Sequence, residues 1–250
     1  MIKLFKNIRK NLLAEGKNSK YLKYAIGEII LVVIGILIAL QINNWNQERV
    51  VKAQNQMIVQ NLNKEFNENL VELDTSISRL SSVIDGIDTL LTVMRTQDSN
   101  MSEGEFDQLL NQTFWFPTWK PSSFVLMELK TSGALSKLYN NDLKTLLFKW
   151  EREFDKMETN KKNFLTYGAE YVEFITKNGS VRNIDALTES TKSLQKSTIA
   201  KNNPELLKNP EFENRADNFY FLAVRLKEHF VSLRKIMTDI IEFSNAELNQ

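Results

Sequence analysis

AIGEIILVVIGILIALQI, residues 25–42, is the stretch that decides the fold, and Glu28 is its one charged residue. A helix of this length covers about 27 Å, which is close to the hydrocarbon thickness of a bilayer. We therefore predict a transmembrane anchor over residues 24–45. A cleaved signal peptide and a buried helix of a soluble domain are the other interpretations, but the run is long for a signal peptide and no A-x-A-like cleavage site follows it.

Charge is distributed unevenly about this anchor. Seven basic residues and one acid precede Tyr24, a net charge of +6; because the whole chain carries +1, the remainder carries −5. The positive-inside rule then predicts a cytoplasmic N-terminus, with Trp45 as an anchor at the outer headgroup level. Residues 1–23 predict a basic cytoplasmic tail, either an amphipathic helix on the inner leaflet or a disordered topogenic segment.

Residues 46–250 form the rest of the chain, which is long enough for one domain with its own core. The sequence is 42% hydrophobic and 25% charged, as in globular proteins, and only 8 glycines and 4 prolines are present. Few glycines and prolines favour long helices over a sheet with many turns. The absence of cysteine excludes disulfides and thiolate metal sites.

Apolar residues recur at spacings of three and four over three long stretches: from about Asn46 to Thr96, from about Asn140 to Asn178, and from Pro210 onwards. Lys161 and Gly168 interrupt the second stripe. Shorter helices are expected after Ser102, which with Glu105 is typical of a capping box, and after Ser122 or Ser123, either of which can cap the helix. Residues 180–203 are expected to be loop, with a helical turn or a short strand at the edges. We predict an all-α fold, with one N-terminal transmembrane helix followed by an elongated antiparallel helical bundle over residues 46–250.

Residues 114–124, FWFPTWKPSSF, are called the aromatic segment below. They hold five aromatic residues and two prolines, and Pro117 and Pro121 forbid a continuous helix. Exposed rings would form a partner surface at Trp115, Phe116 and Trp119. The alternative, which we expect for most of these rings, is that the segment packs into the bundle.

Within the anchor, Glu28, Gly35 and Ala39 fall on one stripe, and Gly35-x-x-x-Ala39 would allow a second helix to approach closely. This stripe is the predicted membrane interaction face. Glu28 is interpreted either as a proton carrier within the membrane or as an acid that snorkels to the cytoplasmic interface or pairs with a lysine of the tail.

Candidate chemistry is sparse. His229 is the only histidine, and the sequence contains no G-x-S-x-G, H-E-x-x-H, Glu-x-x-His or glycine-rich phosphate loop. We therefore predict no enzyme, no catalytic residues, no cofactor and no metal site. The mildly acidic outer part also argues against a nucleic-acid partner.

The run YAIGEIILVVIGILIALQINNWN, residues 24–46, resembles a family of bacterial single-span envelope proteins of unknown function, as do the basic head KLFKNIRKNLL and the later segment WKPSSFVLMELKTSGALSKLYNNDL. The resemblance implies a Gram-negative inner membrane, with the helical domain in the periplasm. It implies no reaction.

Three hypotheses about function follow. The leading one is a non-enzymatic scaffold or subunit of an envelope complex, whose partners are membrane lipid and either a second copy or another membrane protein. The second is a ligand-sensing bundle that signals through a membrane partner. The third is a proton-coupled single-span subunit that uses Glu28.

Overall fold

The computed structural model describes residues 18–96, 101–188, 195–199 and 202–249, without the side chains of residues 18–21 and 137. Every regular element in these ranges is helical, which confirms the predicted all-α class. The helices are α1 (Asn18–Thr96), α2 (Glu103–Thr113), α3 (Phe124–Thr131), α4 (Asn141–Asn178), α5 (Val181–Asp185) and α6 (Pro210–Leu248). Two 3-10 helices cover Ala134–Lys137 and Asn203–Lys208. Residues 1–17, which form most of the predicted basic tail, lie outside the described residues.

The chain divides within α1 into two compact units, one ending at Met57 and the other beginning at Ile58. The described part of the first unit is helical from Asn18. Its most apolar 18-residue window has a mean hydropathy of 2.6 and is 0% buried. This helix is therefore long and apolar enough to cross a membrane.

The second unit is an antiparallel bundle with four members, of which three are the long helices α1, α4 and α6. α4 and α6 run in opposite directions, because Glu153 meets His229 midway along α6, whereas the later residue Tyr171 meets Phe212 near the start of α6. α1 also runs opposite to α6, since Asn63 contacts Ile241 and Asp74 contacts Arg234.

The fourth member of the bundle is not one continuous helix. α2 packs beside the later turns of α1, where Gln112 Nε2 donates to Ser82 O at 2.8 Å. The chain then returns along α1 until Ser122 reaches Asn69. The fourth member of the bundle therefore consists of α2, the aromatic segment and α3. Its middle is not helical, because the segment contains two prolines.

Local sequence accounts for the helix starts. Ser102 and Glu105 form the predicted capping box, with Ser102 N donating to Glu105 Oε2 at 2.7 Å. Asn140 accepts from Leu143 N at 2.9 Å, and Asn209 caps α6 ahead of Pro210. These boundaries confirm the sequence-based ones.

Two further features concern the start of α3 and residues 180–203. Ser123 is the N-cap of α3, but its side chain makes no capping hydrogen bond; Glu65 of α1 accepts from Val125 N instead. Within residues 180–203, helix is found at the two edges, in α5 and at the start of the second 3-10 helix, as expected.

Candidate functional site

The predicted membrane interaction face lies on an open stretch of α1. Gly35 and Ala39 are exposed and Glu28 is half-buried. A Cβ added at Gly35 would meet no atom within 4 Å, and the same is true at Gly27. Trp45 is 62% exposed, and the Arg49 guanidinium lies 5.9 Å from the centroid of its ring.

The aromatic segment is packed into the second unit, and most of its rings contact the core. Trp119 is 4% exposed, while Phe114, Trp115 and Phe116 are partly buried against the core. Phe124 is the exception, with 68% of its surface exposed. Of the three residues predicted as a partner surface, Trp119 thus lies in the core, and Trp115 and Phe116 lie at its edge.

Phe116 enters the bundle between α4 and α6. Its ring centroid lies 5.9 Å from that of Phe164 and 5.9 Å from that of Phe219. A Cβ built on Gly168 would overlap the Phe116 ring and would come within 2.9 Å of Phe219. Gly168 therefore forms the notch that admits Phe116.

Trp119 is held by both its ring and its backbone. The ring packs edge-on against Phe154 and Phe230, with centroid distances of 6.4 and 5.6 Å. Its carbonyl oxygen accepts a hydrogen bond from Lys161 Nζ at 2.7 Å. The Lys161 side chain is only 13% exposed. Its ammonium group donates to a carbonyl oxygen that, because the segment is not helical, has no hydrogen bond within a helix.

The end of the aromatic segment is held by α1. Asn69 pairs with the backbone of Ser122 in both directions, accepting from its N at 2.7 Å and donating to its O at 2.8 Å. Glu65 Oε2 accepts from Ser122 Oγ and from Val125 N, each at 3.0 Å. Side chains of two long helices thus supply hydrogen bonds that a continuous helix would have made internally.

These contacts explain the two interruptions of the α4 stripe. Lys161 and Gly168 occupy positions where an apolar residue is expected, and each receives one part of the aromatic segment. The interruptions were visible in the sequence, but their partners lie 42 or more residues away and no sequence pattern connects them.

The only histidine belongs to a polar cluster between α4 and α6. His229 Nδ1 lies 2.8 Å from Glu153 Oε1, and His229 Nε2 lies 3.0 Å from Asn160 Nδ2. Because Asn160 Nδ2 donates to Lys156 O, its second hydrogen favours an accepting Nε2 and a protonated Nδ1 that donates to Glu153. Burial raises the pKa of Glu153, but hydrogen bonds from His229 and Lys156 outweigh it, so this pKa lies below its ordinary value.

A second polar cluster, which the sequence did not reveal, lies where α2 meets the chain around residues 180 and 203. Asp107 is 0% exposed and accepts from Asn203 Nδ2 at 2.7 Å and from Lys196 Nζ at 2.8 Å. Asn203 in turn accepts from Ser180 N at 2.6 Å. The hydrogen bond from Lys196 to Asp107 raises the pKa of Lys196. These bonds tie α2 to the chain on both sides of residues 189–194.

Neither cluster has the composition of a metal centre. Within the described ranges, no three histidine, cysteine, aspartate or glutamate side chains are arranged to hold a metal ion. The polar groups instead hold elements together: Lys161, Glu65 and Asn69 bind the aromatic segment, His229 links two helices, and Asp107 secures α2.

Comparison with known proteins finds one family model that matches part of the chain. Residues 28–144, a little under half of the chain, match a family of unknown function (DUF6090). The matched region contains most of the apolar run together with α2, the aromatic segment and α3. No curated protein and no solved structure matches the chain.

Proposed function

We propose that the protein is a membrane-anchored, non-enzymatic helical module that serves as a scaffold or subunit of an envelope complex. Its N-terminus lies in the cytoplasm and the helical bundle lies in the periplasm. The observation that carries the proposal is the apolar window of α1, which is 0% buried. So much exposed apolar surface requires lipid or partner helices around it.

The second unit supports a scaffold in a different way. Its aromatic segment is rich in the large rings that often form partner surfaces, but most of these rings pack against the core of the bundle. The surface left for partners consists of helix faces and the open Gly35–Ala39 stripe. Association through such surfaces needs no catalytic group and no cofactor.

The test is extraction of the tagged full-length chain in mild detergent, followed by co-purification and mass spectrometry. We expect a stoichiometric protein partner, or a second copy, that survives washing. A monomer that carries a bound small molecule would contradict the proposal and would favour the sensing hypothesis. Gly35→Ile should reduce this co-purification, and Gly27→Ile, at a position off the interaction stripe, is its matched control.

A further inference from the structure

A groove of about 600 Å³ lies between α3 and α4 of the second unit. The aromatic rings of Trp150 and Phe154 line it, together with Leu126 and Met127. Met127, at the rim of the groove, is 56% exposed, and Phe124, three residues earlier on the same helix face and beside the groove, is 68% exposed. The molecule thus presents an apolar projection next to an apolar depression.

Charge is divided between the walls of this groove. Lys120 lies on the α3 side and Asp155 on the α4 side. Both are exposed, and neither forms an ion pair within the part of the chain that the structure describes. By contrast, Lys130 and Glu151, which also line the groove, already pair at 2.6 Å.

We infer that this groove, with the Phe124–Met127 face beside it, is a contact between two copies of the chain. A two-fold contact requires a surface that is complementary to itself. Here the projection of one copy meets the depression of the other, and Lys120 of each copy faces Asp155 of its partner. Exposed aromatic and methionine side chains are those enriched at such contacts.

The inference rests on the proposed function at one point, which is that both copies are anchored in one membrane. Confinement raises the effective concentration of one copy around another, so a contact of modest area can be occupied. The contact itself is formed by residues of the second unit alone.

Disulfide trapping in native membranes tests the contact directly, because the chain has no cysteine of its own. Two differently tagged full-length chains, one Lys120→Cys and the other Asp155→Cys, are expressed together and oxidised. We expect a mixed disulfide at least tenfold more abundant than with the Asp217→Cys control, which places an exposed cysteine on α6. A yield equal to the control overturns the inference.

Charge reversal supplies a test that does not depend on cysteines. Lys120→Glu and Asp155→Lys should each reduce co-purification of two tagged copies several-fold, since each creates like charges across the contact. The double variant restores both opposite-charge pairs and should recover most of the association. A double variant as weak as either single variant contradicts the contact.

The apolar part is tested by Phe124→Ala, which should weaken association about tenfold, as loss of an interface anchor does. The matched control is Phe221→Ala, since Phe221 is 57% exposed on α6. Both rings are exposed, so the melting temperature should not change. Crosslinks along the Gly35 stripe that persist when the groove crosslinks fail would overturn this inference while leaving the scaffold proposal standing.

Discussion

At the scale of single residues, Gly168 is the position where the sign of a mutational effect identifies the mechanism. In a helix interior, Gly→Ala normally stabilises by up to about 1 kcal/mol. Here the new methyl group would overlap the Phe116 ring. We expect Gly168→Ala to destabilise the full-length protein by about 1–3 kcal/mol in thermal unfolding followed by circular dichroism.

The second variant for this test is Phe116→Leu, which removes the ring that the methyl group would overlap. Combining it with Gly168→Ala should cost less than the sum of the two single effects, because the residues share one space. Gly104→Ala is a control, since its Cβ would meet no atom within 4 Å. A stabilising Gly168→Ala would show that Phe116 does not depend on the notch.

Because of Tyr171, the free energy of unfolding should depend on pH in the alkaline range. It is fully buried, with its hydroxyl 3.2 Å from Thr113 Oγ1, and burial raises the pKa of its phenol above the ordinary value of about 10. Above that pH the unfolded chain loses this proton while the folded chain keeps it, so the free energy of unfolding falls as pH rises. The loss from this group is about 1.4 kcal/mol per pH unit.

Tyr171→Phe cannot ionise, so its unfolding free energy should fall less steeply between pH 10 and 11.5 than that of the wild type. At neutral pH the variant should lose only about 1 kcal/mol, for the missing hydrogen bond to Thr113. Denaturant titrations at several pH values measure both effects. Parallel pH profiles for the two proteins would show that the phenol is not protected from ionisation.

At the scale of elements, the aromatic segment contributes to stability mainly through Trp119. Replacing this buried ring by alanine should cost about 3–5 kcal/mol, measured as a loss in thermal unfolding. Trp115 is only partly buried, with the Arg79 guanidinium 6.0 Å from its ring centroid, so Trp115→Ala should cost less. Equal effects, or no effect of Trp119→Ala, would contradict the observed packing.

The anchor makes the second prediction at this scale. Gly35→Ile should weaken association with a second copy or a membrane partner, because it places a branched side chain where a backbone would approach. Gly27→Ile should weaken it less. Single cysteines introduced along residues 25–42 should crosslink with helical periodicity, with maxima on the face of Glu28, Gly35 and Ala39. Maxima at Ile30, Val33 and Leu37 would place the contact on the opposite side.

Elements also show how far sequence reasoning extends. Helix starts at Ser102, Asn140 and Asn209 could be predicted because capping is a local interaction. The cap of α3 could not, since its acceptor, Glu65, lies 60 residues away from Val125 in sequence. The same holds for Asp107 and Asn203, which are 96 residues apart. Pro117 and Pro121 predicted that the helix is interrupted in the aromatic segment, but they did not predict which residues of the other helices bind that segment.

At the scale of the whole molecule, the prediction concerns topology. The charge of +6 before Tyr24 and −5 after Lys23 favours a cytoplasmic N-terminus and a C-terminus across the membrane. A reporter that is active only outside the cytoplasm, fused after Gln250, should be active in cells. Activity only of a cytoplasmic reporter at that position would reverse the orientation.

The seat of the aromatic segment also constrains how the protein is made. Trp119 contacts Phe154, Lys161 and Phe230, and all three are synthesised after it. The Trp119 ring therefore remains partly uncovered on the nascent chain until α6 has been translated as far as Phe230. Transiently exposed apolar surface of this kind favours aggregation, and a chain that stops before Phe230 lacks one of the two rings against which Trp119 packs edge-on.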